Sequence, residues 1–274
     1  MSRIDTGTDH LLAELDGGVG VVTLNRPERR NALSDEMLHA LADVLGTFET
    51  DTAVRCVVVT GSGGAFCAGG DVKGMAERNA DTGSRSSIDE VIARQRLSQR
   101  TTSGRLWSMP KPTIACIPGA AAGAGLSIAL SCDLRYAAAG AVLTTAFARV
   151  GFAGDYGGTW FLPRLVGPAK AKELYYLSER LSAEEAESLG IVNGVFPPED
   201  LTEAVMGVAR RLAAGPAVAY RYMKENLNRA VAGGELMDCL DLEVTHHVHT
   251  GLTHDHREAA QAFVDKREPR FEGR

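Results

Sequence analysis

The residues whose types and spacing could carry chemistry begin with two small-residue turns, Gly61-Ser62-Gly63-Gly64-Ala65-Phe66-Cys67-Ala68-Gly69-Gly70-Asp71 and Gly119-Ala120-Ala121-Ala122-Gly123-Ala124-Gly125. Each follows a short apolar run and leads into helical sequence, leaving backbone N–H groups at a helix start, where partial positive charge collects. A phosphate is one guest for such a turn. Neither turn contains GxxxxGK(S/T), however, and Gly123-Ala124-Gly125-Leu126-Ser127-Ile128 lacks the last glycine of a dinucleotide motif. Gly125-Leu126-Ser127-Ile128-Ala129 is one residue short of a GxSxG nucleophile elbow, and Asp155 with His246 or His247 would complete a triad in a suitable order. A serine in a small-residue helix start is more often structural. A further reading uses both turns at once, because amides from two helix starts can converge on one oxygen and stabilise the charge that develops there.

Asp155 is the only carboxylate between Leu134 and Lys172, in a stretch that carries Phe147, Phe152, Tyr156, Trp160 and Phe161. Apolar surroundings disfavour the charged carboxylate and move its proton toward neutral pH, as general acid–base work requires. The structural alternative is a loop carboxylate that bonds nearby amides, and Asp71 and Asp133, which abut the turns, are read that way. His246, His247, His249, His254 and His256 suggest a metal, but no HExxH-type spacing accompanies them and no metal site is expected. Arg94, Arg96, Arg100 and Arg105 have no interleaved aromatics before Trp107 and read as a solvated helix face.

Composition narrows the classes further. The 274 residues hold 29 Lys and Arg against 35 Asp and Glu, a formal charge of −6, which argues against nucleic-acid partners. With 45% hydrophobic and 23% charged residues the chain is neither disordered, coiled-coil nor collagen-like. Cys56, Cys67, Cys116, Cys132 and Cys239 form no CxxC pair and read as reduced thiols. The charged N-terminal stretch is unlike a secretory signal, and no apolar run approaches the ~18 residues of a membrane span. A cytoplasmic protein with no membrane partner is expected.

The elements that must position these residues follow from periodicity. Runs 10–15 and 19–24 around Asp16-Gly17-Gly18 predict a hairpin. Ser34 caps a predicted helix with Met37, Leu38, Leu41, Leu45 and Phe48 at helical spacing. Segment 55–60 is nearly continuous apolar sequence, as a strand buried on both faces would be, and runs into the first turn. Segment 113–117 precedes the second turn in the same way, ahead of a predicted helix over 126–131. Residues 79–89 are polar and predict a mobile loop, followed by a helix over 88–107. Strands over 134–137 and 142–145, a glycine-bearing loop over 150–159, a capping box at Ser182 and Glu185 and an amphipathic helix over 202–214 come next. Beyond Gly215 only helices are predicted. The expectation is an α/β core domain over 1–200 and a helical region over 201–274.

Six ordered blocks carry a family resemblance: LNRPERRNAL (24–33), VVVTGSGGAFCAGGDVK (57–73), IPGAAAGAGLSIALSCDLRYA (117–137), GGTWFLPRLVG (157–167), RLSAEEAESLGIVNGV (180–195) and AQAFVDKREPRFEG (260–273). Together they resemble the enoyl-CoA hydratase/isomerase, or crotonase, superfamily over nearly the whole chain. The resemblance implies a crotonase-like α/β fold, a spiral of ββα units with a C-terminal helical region that packs trimers, often paired into hexamers. It implies an acyl-CoA substrate, with coenzyme A present only as part of that substrate and no separate cofactor. The thioester oxygen would accept from the amides of Gly70 and Ala124. Coenzyme A contacts would map onto Arg29, Arg30, Ala32, Ala68, Asp71, Val72 and Lys73. Phe263 and Lys266 would reach the nucleotide of a neighbouring subunit.

The resemblance also bears on the reaction. The two glutamates of family hydratases align with Ser127 and Phe147, neither of which can serve as a carboxylate base. Asp155 stands where family isomerases carry an aspartate and aryl-CoA dehalogenases a nucleophilic one. Double-bond isomerisation of an unsaturated acyl-CoA, with Asp155 as base, is therefore expected. The alternatives are hydration by Asp155 alone, a dehalogenase- or hydrolase-like attack by Asp155, and RNA binding through the arginine helix.

Overall fold

The computed structural model describes residues 2–71, 74 and 87–274. Among these, seven strands form one sheet in the order β1 (Ser2–Ile4), β2 (Leu11–Asp16), β3 (Val19–Leu24), β4 (Cys56–Gly61), β6 (Thr113–Ile117), β8 (Leu134–Ala138) and β11 (Gly194–Phe196). The predicted hairpin is β2–β3, and from β3 onward every neighbouring pair is parallel. In β4, Val57 and Val59 enter one hydrophobic cluster while Cys56 and Val58 enter another. Ala115 and Ile117 of β6 alternate with Ile114 and Cys116 in the same way. Both strands are covered on both faces, which is why their sequences are continuously apolar.

A second sheet has the order β10 (Leu181–Ser182), β9 (Val142–Thr144), β7 (Ala120–Ala122) and β5 (Ala65–Cys67), with β5, β7 and β9 parallel. Each of β4, β6 and β8 thus passes at once into a short strand of the second sheet, and the chain climbs in ββα steps. β5 and β7 lie inside the stretches that read as turns. Three residues carry too little alternation to register as a strand.

Helix α1 (Asp35–Thr50) starts where its Ser34 cap accepts the Met37 amide, and it buries Met37, Leu41, Leu45 and Phe48 completely. The predicted helix over 88–107 is two helices, α2 (Ile88–Thr101) and α3 (Ser103–Ser108), broken at Thr102. The hydroxyls of Thr101, Thr102 and Ser103 donate back to carbonyls of Leu97, Ser98 and Gln99, and such bonds compete with the helical ladder. Next come α4 (Ala124–Leu130), α5 (Gly158–Val166), α6 (Pro168–Leu177) and α7 (Ala183–Ser188), the last opened by the Ser182–Glu185 capping box. Helix α8 (Leu201–Ala213) lays Leu201, Val205, Met206 and Ala209 against Val58, Ile114 and Cys116 of the large sheet.

Helices α9 (Ala217–Val231), α10 (Leu236–Gly251) and α11 (His254–Asp265) follow. Lys224 ties α9 to the core, donating to the carbonyls of Leu106 and Lys111 and to the Asp133 carboxylate at 2.9 Å. Asp133 also accepts from the Thr113 amide and hydroxyl, a structural role as expected. No helix among the described residues is long and apolar enough to cross a membrane.

Candidate active site

The two glycine-rich turns meet through their backbones. Gly69 has φ of 90°, a conformation that favours glycine, and a Cβ there would lie 2.8 Å from the Ala122 carbonyl oxygen and 3.5 Å from the Ala124 amide nitrogen. A side chain at Gly125 would run into the backbone and thiol of Cys67. The first turn is also gripped from outside: the Leu33 amide donates to the Gly69 carbonyl, and the Ala68 amide to the Arg30 carbonyl. The bridge between Leu33 and Gly70 leaves the Gly70 amide without a partner among the described residues. Ala124 is the first residue of α4, so its amide is one of the helix-start donors that have no intrahelical acceptor. Two open amides on touching turns can meet one oxygen and stabilise negative charge on it.

Asn31 and Arg26, which sequence reasoning missed, hold this arrangement. Asn31 is fully buried with φ of 57°, and its side chain donates to the carbonyls of Ser62 and Ala65. Arg26 donates to the Ala32 carbonyl and to Asp71. The Gly74 amide, followed by Arg26, holds the Asp71 carboxyl below its ordinary range. The only sequence signal for either residue is its place between the hairpin and the first helix, which says nothing of a role.

Asp155 lies between Gly154 and Tyr156, both at positive φ, and its carbonyl accepts the Gly158 amide at 3.1 Å. Tyr156 fixes this loop to α2, its amide donating to Gln99 and its hydroxyl lying 3.0 Å from Ser98. Oδ1 of Asp155 is buried with no partner among the described residues, and burial raises the carboxyl to about 6. Its charge reaches the Cys67 thiol of the first turn and the Tyr175 phenol of α6. Burial pushes the Cys67 thiol up to about 12, so it is not a nucleophile at neutral pH.

Ser127 is buried and donates to the Gly123 carbonyl at 3.2 Å. His246 bonds Asn226 on α9, lies 3.4 Å from Glu225 and stacks on Tyr222, so its ring nitrogens are engaged away from Ser127, and His247 is exposed with no bond to Ser127 among the described residues, so neither completes a triad. Among the described residues no three His, Cys, Asp or Glu gather as a metal set. Arg105 of the basic stretch pairs with Glu49 and donates to the Ala42 carbonyl.

Arg29 and Arg30 are exposed beside the first turn, next to buried Ala32, while Ala68 and Asp71 belong to the turn itself. Val72 and Lys73 lie outside the described residues, as does 79–86 of the predicted mobile loop. Phe263, 85% exposed, and Lys266 stand at the end of α11, which packs on α10 rather than on the paired turns. Tyr175 was also missed. It becomes notable only in three dimensions, where its phenol lies beside Ser127 and Gly158.

Residues 14–274 match the family model described as enoyl-CoA hydratase/isomerase. A 1,2-epoxyphenylacetyl-CoA isomerase of Escherichia coli K12 is 38% identical over 97% of this chain and 99% of its own length. A short-chain-enoyl-CoA hydratase of Clostridium acetobutylicum is 33% identical over 94% of this chain and 96% of its own. The crystal structure of an enoyl-CoA hydratase from Bacillus anthracis superposes with a TM-score of 0.88 at 32% identity, covering 97% of this chain and 100% of that one.

Proposed function

Because the chain belongs to the enoyl-CoA hydratase/isomerase family, with its crotonase-like α/β fold, we propose that it moves a double bond in an unsaturated acyl-CoA with Asp155 as the proton carrier. The observation that carries this reading is the unpartnered, buried Asp155 oxygen, in a site where Ser127 and Phe147 take the places of the hydratase glutamates. The Gly70 and Ala124 amides receive the thioester oxygen. Asp155 removes a proton from C2 of a 3-enoyl chain, and the electron pair spreads onto that oxygen as an enolate. The protonated Asp155 then delivers the proton to C4, leaving the double bond between C2 and C3. No water enters the balance. A carboxyl that titrates near neutrality can both take and return a proton at useful rates.

Arg29 and Arg30 supply positive charge for the phosphates of coenzyme A, beside Ala32, Ala68 and Asp71, and Val72 and Lys73 continue that edge in sequence. Self-association is supported by an exposed apolar row on α10, Leu236, Leu240, Val244 and Val248, continued by Leu252 just past its end, beside Met223, Leu227 and Val231 on α9. Such a row, left bare in one chain, suits a trimer, alone or paired, in which Phe263 and Lys266 reach a neighbour's nucleotide. Five free thiols support a reducing, cytoplasmic setting.

The relative named 1,2-epoxyphenylacetyl-CoA isomerase supports isomerisation and brings acyl-CoAs that carry an epoxide into view. The relative named short-chain-enoyl-CoA hydratase supports the second reading, in which Asp155 activates water. Following 3-enoyl-CoA and 2-enoyl-CoA by mass and by conjugated-enoyl absorbance separates them. Conjugation without mass gain, reduced about 10²–10⁴-fold in Asp155→Asn, is expected. Gain of one water by the 2-enoyl substrate would establish the hydratase instead.

A further inference from the structure

Both positions that would carry hydratase glutamates touch one side chain. The Tyr175 ring stacks on Phe147, centroids 5.8 Å apart and 8° from parallel, and the Tyr175 hydroxyl lies beside the Ser127 side chain, both within reach of one point on Gly158. The loop that carries Asp155 makes room for that hydroxyl. A Cβ at Gly158 would lie 2.5 Å from the Tyr175 hydroxyl and would also strike the Ser127 oxygen, and one at Gly154 would lie 3.7 Å from the same phenol. Ser127 is three residues after Ala124 on α4, within the first turn of the helix whose start presents the second open amide. Burial, with the Asp155 charge added, holds the phenol above its ordinary range, so it stays protonated at neutral pH. The site thus pairs one carboxyl that can lose a proton with one hydroxyl that keeps its own.

We propose that Tyr175 is a second catalytic residue, the proton donor to an oxygen carried by the acyl chain, and that the enzyme opens 3,4-epoxyacyl-CoA to 4-hydroxy-2-enoyl-CoA. The proposal rests on the isomerase reading of Asp155. Asp155 takes the C2 proton, the electron pair forms the C2–C3 double bond, and the C3–O bond breaks. The oxygen stays on C4 and takes the Tyr175 proton, since an alkoxide is a stronger base than a phenolate. Protonated Asp155 then reprotonates the phenolate. Nothing is added, lost, oxidised or reduced.

The test compares a 3,4-epoxyacyl-CoA with the 3-enoyl-CoA of equal chain length, on wild type, Tyr175→Phe, Ser127→Ala and the double variant. Wild type is expected to convert both with no change in mass. Tyr175→Phe should lower kcat on the epoxide at least tenfold more than on the 3-enoyl substrate, with the loss in kcat rather than KM. Ser127→Ala should lose less, and the double variant no more than Tyr175→Phe alone, because the two hydroxyls act as a unit. Equal losses on the two substrates, or a wild type inert toward the epoxide but active on the 3-enoyl, would overturn the role of Tyr175. Full 3-enoyl activity in Asp155→Asn would instead overturn the reading beneath it.

Discussion

Asp155 owes its position near pH 6 to burial, and two measurements at the residue scale follow from that. As a base it must first lose its proton, so kcat/KM for the 3-enoyl substrate should rise with pH through about 6 and then level off. Stability should move the opposite way. The folded carboxyl binds its proton more tightly than the unfolded one, at 3.8, so its contribution is fully present below 3.8 and is lost as pH rises through about 6. Asp155→Asn is therefore expected to melt higher than wild type at pH 7, with the gap closing by pH 4. The open amides have a test of their own. Gly70→Pro deletes one donor and should cut kcat by about 10²–10³-fold, with the far-ultraviolet dichroism retained. Asp155 was legible in the sequence because it is a lone carboxylate among aromatics. Tyr175 was not, since it matters only through Ser127 and Gly158, which approach it in space rather than in sequence.

At the scale of elements, the buried anchor of α9 carries a prediction. Lys224→Ala would take the ammonium away from the Asp133 carboxylate, which keeps only the Thr113 amide and hydroxyl among the described residues, and from the carbonyls of Leu106 and Lys111. Removing one partner of such a buried pair costs about 3 kcal/mol, roughly 6–12 °C in melting temperature, readable by calorimetry. Long, strongly patterned elements could be read from sequence: α1 from its apolar spacing and Ser34 cap, β4 and β6 from unbroken apolar runs. β5 and β7 could not, being three residues long and made largely of small residues. The break at Thr102 was hidden because its cause is side-chain hydroxyls turning back on the helix. These unread pieces build the site, since β5 and β7 deliver the two turns to each other.

At the scale of the molecule, the bare row on α10 should govern assembly. Leu240→Glu with Val248→Glu is expected to shift the mass by light scattering toward that of a single 29.1 kDa chain, and an unchanged assembly would remove α10 from the interface. The order of the large sheet has a consequence for synthesis. Each parallel neighbour is reached only after a long excursion, and the face formed by Val58, Ile114 and Cys116 is covered by α8, near the end of the core. A growing chain therefore presents an uncovered greasy sheet for most of its time on the ribosome, and such surfaces are what holdase chaperones bind. A chain released at residue 200, before α8 exists, should collect in the insoluble fraction, whereas one that includes α8 should not.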